Sequence, residues 1–306
     1  MLTVHAPAKV NLLLRVLARE ASGFHQLETV FASLEFGDTL ALAPTPAGVS
    51  LISRSPEMGP VDENLAYRAA VAFLEKADVE GGVEIRLEKR IPVGGGLGGG
   101  SSDAAATLRG LQGLYPGALA PEEVLSLAGS LGSDVPFFLC RSPLALAWGR
   151  GQRLLPLPPL PPAPILLALP PVAVPTAGAY SLLAKAREGT TTSRETRGEA
   201  SRPEPVQVLP VESLSSWEGL SALAQNDFEQ VVFPAYPLLG RLRKALQETN
   251  PLLSLLSGSG AALFAVYVQE KEAHDGKAFM EERFPGTRFA LTRTQPGGRT
   301  LPAEGG

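Results

Sequence analysis

The chain has 306 residues, 44% of them apolar, and a formal net charge of -4. Those values give one or two globular domains with sizeable cores, and the acidic balance excludes a polycationic nucleic-acid binder. A single cysteine, Cys140, rules out an internal disulfide and suits a reducing compartment; three scattered histidines with no H-E-x-x-H and no acidic cation loop argue against a structural metal.

Residues 2–18 alternate and predict a strand, with Pro7 at an edge or turn. Lys9 and Asn11 break its apolar run and, as odd positions, share one strand face. With Arg15 they also argue against a signal peptide. Asp62-Glu63-Asn64 precedes a helical pattern carrying Leu65, Ala69, Ala72 and Leu74. Residues 83–91 read as a strand, helices follow over 101–114 and 122–131, and a strand lies at 144–149. Asp134 falls between a helix end and the apolar Val-Pro-Phe-Phe-Leu, where an aspartate can cap a turn or serve a site.

Nine prolines between Pro156 and Pro175 mark the best domain boundary, around a short strand from Ile165 to Leu169. The expected division is 1–155, then 156–295, then a flexible tail over 296–306. Residues 187–205 contain one apolar side chain, Ala200, and predict a mobile surface insertion. Helices near 219–231 and 236–248 lead to the turn Ser257-Gly258-Ser259-Gly260, a strand from Ala262 to Val268, a helix over 270–283 and a strand over 287–293. Strands and helices mix without strict βαβ alternation, which favours an α+β plan. The longest apolar run, Ala163 to Val174, holds three prolines and is too short to span a bilayer. A soluble, cytoplasmic chain with no membrane or nucleic-acid partner is expected.

The densest signal follows Arg90. Pro92 and Val93 lead into Gly94, Gly95, Gly96, Leu97, Gly98, Gly99 and Gly100, then Ser101, Ser102 and Asp103: six glycines in seven residues. The order is strand, glycine loop, helix start. A helix start offers unpaired N–H groups and partial positive charge, and glycines let backbone wrap a ligand, so the segment predicts a phosphate site. Two common templates fit poorly. Gly94, Gly96 and Gly99 satisfy G-x-G-x-x-G, but the acids at the required distance, Glu122 and Glu123, begin a helix instead of ending a strand. Gly95 and Gly100 have P-loop spacing, but Ser101 stands where that motif needs lysine.

Pro7-Ala8-Lys9-Val10-Asn11-Leu12, the segment from Pro92 to Ala106, and Ser257-Gly258-Ser259-Gly260-Ala261 resemble the three signature motifs of the GHMP kinases, which phosphorylate galactose, homoserine, mevalonate and related alcohols. Four further segments carry a closer resemblance: Gly23-Phe24-His25, Asp62-Glu63-Asn64-Leu65, Leu131 to Phe137, and Asn226-Asp227-Phe228-Glu229. They resemble the branch acting on 4-diphosphocytidyl-2-C-methyl-D-erythritol in the non-mevalonate isoprenoid pathway. The resemblance implies a two-domain α+β GHMP kinase fold with the active site in the interdomain cleft.

It also implies ATP and Mg²⁺ as cofactors. Asp134 would be the base, with Lys9 keeping it ionised and stabilising charge on the transferring phosphoryl group. Asn11 would orient the methylerythritol hydroxyls, Phe24 would stack on the cytosine, and His25 would hydrogen-bond its edge. Phe24 stands where the family usually has tyrosine, which keeps the stacking face and loses the hydroxyl. Asn64 would lie near the adenosine, residues 92–102 would bind the ATP phosphates, Ser101 or Ser102 would face the metal, and Ser257 to Gly260 would close the phosphate or substrate end. Other readings are a homoserine- or mevalonate-type GHMP kinase and a non-enzymatic nucleotide-binding relative. A monomer or weak homodimer with a small-molecule partner is expected.

Overall fold

The structure, a computed structural model, describes residues 1–19, 25–55, 59–140, 142–196 and 209–297. Phe24, residues 197–205 and the tail beyond 297 lie outside them.

The chain starts with two long antiparallel strands, β1 (Leu2–Arg19) and β2 (His25–Thr45). Then come β3 (Gly48–Ser53), α1 (Leu65–Ala77), β4 (Gly82–Glu88), α2 (Gly99–Leu114), α3 (Pro121–Leu131), α4 (Val135–Leu139), β5 (Leu144–Gly149) and β6 (Arg153–Pro156). The second half runs β7 (Pro164–Leu169), α5 (Thr176–Thr196), α6 (Trp217–Leu223), β8 (Gln225–Asn226), α7 (Glu229–Ala235), α8 (Pro237–Glu248), β9 (Leu253–Leu256), β10 (Leu263–Val266), α9 (Glu270–Arg283) and β11 (Arg288–Arg293).

Among the described residues the strands form two sheets. Seven strands join in the order β3-β4-β2-β1-β8, with β5 pairing the first half of β2 and β6 continuing beyond it. The other sheet is β11-β7-β10-β9. One core lies between the first sheet and α1 to α4, where Phe31, Leu40 and Leu42 meet Ala69, Phe73, Leu108 and Phe137. A second fills the space between the sheets, with Val10, Leu12 and Val30 against Ile165, Leu167, Leu255 and Phe264. A third packs the outer face of the small sheet on α5, α7, α8 and α9, through Leu166, Leu263, Leu183, Val232, Leu242 and Met280. The result is helices, sheet, sheet, helices, with β1 and β2 buried on both faces.

Three expectations change. The single helix over 219–231 is two, α6 and α7, because Gln225 and Asn226 pair in parallel with Leu13 and Leu14 of β1. The strand over 262–268 is shorter, and β9 precedes it as its antiparallel partner. The polar stretch starting at 187 does not begin as a loop: α5 continues to Thr196, anchored where the Arg187 guanidinium donates to the carbonyls of Val16 and Leu17. No helix among the described residues is long and apolar enough to cross a membrane.

Candidate active site

The glycine loop is shaped by its neighbours. Gly94, Gly96 and Gly98 have φ of 70°, 77° and 71°, a region that side-chain-bearing residues rarely adopt. A Cβ on Gly96 would meet the Ser257 carbonyl oxygen at 2.1 Å, whereas one on Gly94 would meet nothing within 4 Å. One side of the loop is thus pressed against protein and the other is open. Leu97 anchors it: the side chain is buried between the sheets and its carbonyl accepts the Lys9 N–H at 2.9 Å. Gly98 caps α2, and its carbonyl accepts the Ser102 N–H at 2.9 Å. The N–H groups of Gly99, Gly100 and Ser101 precede any intrahelical acceptor, an arrangement that suits an anion. Asn64 caps α1 through the Ala66 N–H at 2.9 Å, and Leu65 beside it touches the α2 start at Gly100.

The turn from Ser257 to Gly260 is fastened to this loop. The Ser257 hydroxyl donates to the Gly96 carbonyl at 3.0 Å, and the Ala262 N–H donates to the Gly95 carbonyl at 3.1 Å. Ser259 pairs with Thr176 at the start of α5 at 3.1 Å. Ser257 and Ser259 are both buried, the first bracing the loop and the second tying the turn to α5.

Lys9 and Asp134, 125 positions apart in sequence, come within 3.6 Å of each other. That is an ion pair, longer than a hydrogen bond. Asp134 precedes α4 but accepts no bond from the helix's own N–H groups, so its carboxylate is not used as a cap. Its side chain is 28% exposed against 5% for Lys9. Burial holds the Lys9 ammonium below the ordinary lysine range, and Asp134 only partly offsets this. The ammonium donates to Asn11 Oδ1 at 2.7 Å and lies 5.1 Å from the Phe31 ring centre. Arg109 keeps α4 in place by donating to the Phe138 and His5 carbonyls, both at 2.8 Å; burial lowers its pKa to about 10.

Asn11 is engaged with protein through both amide atoms. It is 3% exposed, its Oδ1 also accepts the Gly258 N–H at 3.0 Å, and its Nδ2 donates to Thr29 Oγ1 at 2.8 Å. It therefore orders Lys9 and the Gly258 turn before any ligand arrives. The two candidate metal serines also separate. Ser101 is partly exposed, with its hydroxyl 3.9 Å from where a Cβ on Gly132 would stand, on the loop that carries Asp134. The Ser102 hydroxyl is fully buried and has no hydrogen-bond partner, so it faces away from solvent.

Sequence reasoning missed three features. Tyr180 of α5 stacks on His25 with ring centres 4.6 Å apart and planes at 21°, and it meets Phe228 edge-on at 4.9 Å. Burial, then the nearby Asp134 charge, raises the Tyr180 pKa, so this aromatic pair lies within electrostatic reach of Asp134. The second feature is a buried cluster under the loop. Lys89 Nζ donates to Asp38 at 2.5 Å and to Asp103 at 2.8 Å, and the other Asp38 oxygen accepts the N–H groups of Arg90 and Ile91 at 2.5 and 2.8 Å. The cluster ties the strand entering the loop to the helix leaving it. Burial opposes the Lys89 ammonium, but the two carboxylates outweigh it and raise its pKa. Burial pushes Asp103 up to about 7, and Asp38 adds to this against the pull of Lys89. One Asp103 oxygen is left without a partner. A buried acid within the apolar Phe36-Gly37-Asp38-Thr39-Leu40 is the signal that could have exposed the cluster. The third feature is the Asn226 side chain, which donates to the Gly258 carbonyl at 2.8 Å.

Comparison with known proteins fits this geometry. Residues 64–142 match the GHMP kinases N terminal domain and residues 211–286 the GHMP kinases C terminal domain. A 4-diphosphocytidyl-2-C-methyl-D-erythritol kinase of Synechococcus sp. (strain JA-2-3B'a(2-13)) is 38% identical over 98% of this chain and 96% of its own length. That of Thermus thermophilus is 42% identical over 85% of this chain and 86% of its own. A crystal structure of 4-(cytidine 5'-diphospho)-2C-methyl-D-erythritol kinase superposes with a TM-score of 0.77 at 38% identity, covering 96% of this chain and 100% of that one. The expected GHMP fold stands, and the chain belongs to the 4-diphosphocytidyl-2-C-methyl-D-erythritol kinase family of the GHMP kinases, as an ATP-dependent small-molecule kinase.

Proposed function

We propose that the chain transfers the γ-phosphoryl group of ATP to the 2-hydroxyl of 4-diphosphocytidyl-2-C-methyl-D-erythritol, with Asp134 as base and Lys9 as its electrostatic partner. The observation that carries this reading is the Lys9–Asp134 pair at 3.6 Å, beside the open start of α2. The N–H groups of Gly99, Gly100 and Ser101 and the backbone of residues 92–98 hold the triphosphate. Asp134 Oδ takes the proton as the substrate oxygen attacks phosphorus and the bond to the ADP oxygen breaks. Lys9 faces the charge that spreads over the transferring group. Phosphoryl transfer needs alignment and neutralisation more than covalent chemistry, and a buried, underneutralised ammonium supplies both.

Mg²⁺ would supply further neutralisation on the phosphate oxygens. The donor set suits that ion, which takes one or two protein oxygens and otherwise waters and phosphates. Ser101, in the first turn of α2 and the partly exposed one of the two candidate serines, is the residue that would hold it. His25 and Tyr180 form the aromatic wall for the cytosine, and Phe24, in place of the family's usual tyrosine, would stack on it without the hydroxyl. Asn64, the cap of α1 next to Leu65, lies on the adenosine side. The test is a coupled ADP-release assay offering the cytidyl substrate, homoserine and mevalonate. Turnover of the cytidyl substrate alone is expected. Turnover of another alcohol would overturn the substrate and keep the kinase.

A further inference from the structure

The segment Asn226-Asp227-Phe228-Glu229 has no assigned task, yet its four side chains reach four parts of the site. Asp227 accepts the Val16 N–H at 2.9 Å and pairs with Arg187 at 3.1 Å. Phe228 buttresses Tyr180. Glu229 accepts the Leu256 N–H at 2.7 Å. Asn226 makes the most directed contacts. It is 5% exposed, its Oδ1 accepts the Phe228 N–H at 2.9 Å, and its Nδ2 donates to the carbonyls of Leu256 and Gly258, both at 2.8 Å.

An asparagine that only turns the chain uses its oxygen. Here both amide hydrogens are spent as well, and one goes to the turn that faces Lys9. Gly258 is gripped from two sides, its carbonyl by Asn226 and its N–H by Asn11 Oδ1 at 3.0 Å. The same Asn11 oxygen takes the Lys9 ammonium at 2.7 Å. The connection from Asn226 through Gly258 and Asn11 to Lys9 is direct at each step, and every group in it is buried or held in the turn. β8 fixes the near end by pairing with Leu13 and Leu14, two and three residues past Asn11 on the same strand.

We propose that Asn226 is a positioning residue for phosphoryl transfer: through Gly258 and Asn11 it sets the place of the Lys9 ammonium. The inference rests on the proposed role of Lys9. Losing the grip on Gly258 loosens its N–H from Asn11 Oδ1, and that oxygen, left with the Thr29 tether alone, shifts together with the Lys9 ammonium it accepts. A displacement of that kind moves the ammonium, while Ser257 and Ala262 still tie the turn to the glycine loop.

A kinetic cycle tests it, using Asn226→Ala, Asn11→Ala and the double variant, with thermal unfolding run on each. Asn226→Ala should lower kcat about ten- to a hundredfold with KM for ATP and acceptor little changed. The double variant should be no slower than the worse single one, because both act on one ammonium. Losses that multiply would overturn the proposal. Asn226→Asp covers the case in which the alanine variant does not fold. It keeps the acceptor for the Phe228 N–H and removes the donors. Its turnover relative to the parent at each pH should recover as pH falls from 8 to 6 and the carboxyl regains a proton to donate. Parent-like turnover across that range would overturn the proposal. Lys9→Ala run alongside separates the two ideas: if it keeps full turnover, the role of Lys9 itself fails, whereas a slow Lys9→Ala with multiplying losses in the cycle removes Asn226 alone.

Discussion

Two buried lysines flank the glycine loop, and their surroundings treat them in opposite ways. Lys9 has one carboxylate at 3.6 Å, and burial prevails, so its pKa is lowered. Lys89 has two carboxylates at 2.5 and 2.8 Å, and they prevail over burial, so its pKa is raised. The first ammonium is underneutralised, and an incoming phosphoryl group lowers its free energy. The second already has two anions and gains little from a third. On the proposed mechanism, the difference separates a cation kept for a reacting group from one kept for architecture. It comes from the number of carboxylates in reach, since both side chains are nearly inaccessible.

The largest effect that could break this contrast is on folding. Lys89→Met strands Asp38 and Asp103 together, at 0% and 2% side-chain exposure. Removing one partner of a buried charge group costs about 3–5 kcal/mol. Urea unfolding should show a loss of that order, and a loss below about 1 kcal/mol would erase the architectural role. Lys9→Met should behave in reverse. Asp134 keeps access to water, so stability should change by no more than about 1 kcal/mol. Turnover should fall at least about a hundredfold. Near-normal turnover would remove Lys9 from the mechanism. Lys9→Arg sharpens the point: the lowered Lys9 pKa makes kcat/KM decline on the alkaline side below the ordinary lysine value of 10.5. A guanidinium does not titrate there, so the arginine variant, if slower, should lose that limb.

Much of this was legible in the sequence, and the remainder fails for identifiable reasons. The glycine loop announces itself because positive φ and close approach leave glycine as the residue that fits, and Gly96 against Ser257 is the clearest instance. Strands 83–91 and 287–293 alternate and were readable. β2 was not, because residues 29–34 are buried without interruption, with cores on both faces of the sheet, and a period of two disappears. β8 is two residues long and carries no periodicity, so the helix break at 225 is set by pairing with β1. Lys9 and Asp134 each looked unusual alone, but their approach depends on how α4 and β1 both pack against α2, which sequence separation hides. Tyr180 and the Lys89 cluster were missed for the same reason: each partner is ordinary in its own segment, and the meaning lies in contacts across the fold.

The smallest effect is the most specific test of the architectural lysine. Asp103 is pushed up to about 7 from the ordinary 3.8. Between those values the folded protein holds a proton that the unfolded chain has released, so stability falls as pH rises through that window and levels off above it. Lys89 adds no slope there: its raised pKa contributes stability that is complete below the unfolded value near 10.5 and is lost only above it. Asp103→Asn keeps the shape and an acceptor for Lys89 and removes the titration. It should therefore match the parent near pH 4, flatten the profile from 5 to 7, and be the more stable protein at pH 8. Lys89 would then be left with Asp38 alone, a one-to-one pair. Parallel profiles for the two proteins would mean that Asp103 is ionised throughout and that Lys89 neutralises both carboxylates in full. In that case the two lysines would differ in how completely they are satisfied by more than this structure's charges imply, and the stranded Asp103 oxygen would have to be paired when the protein is in solution.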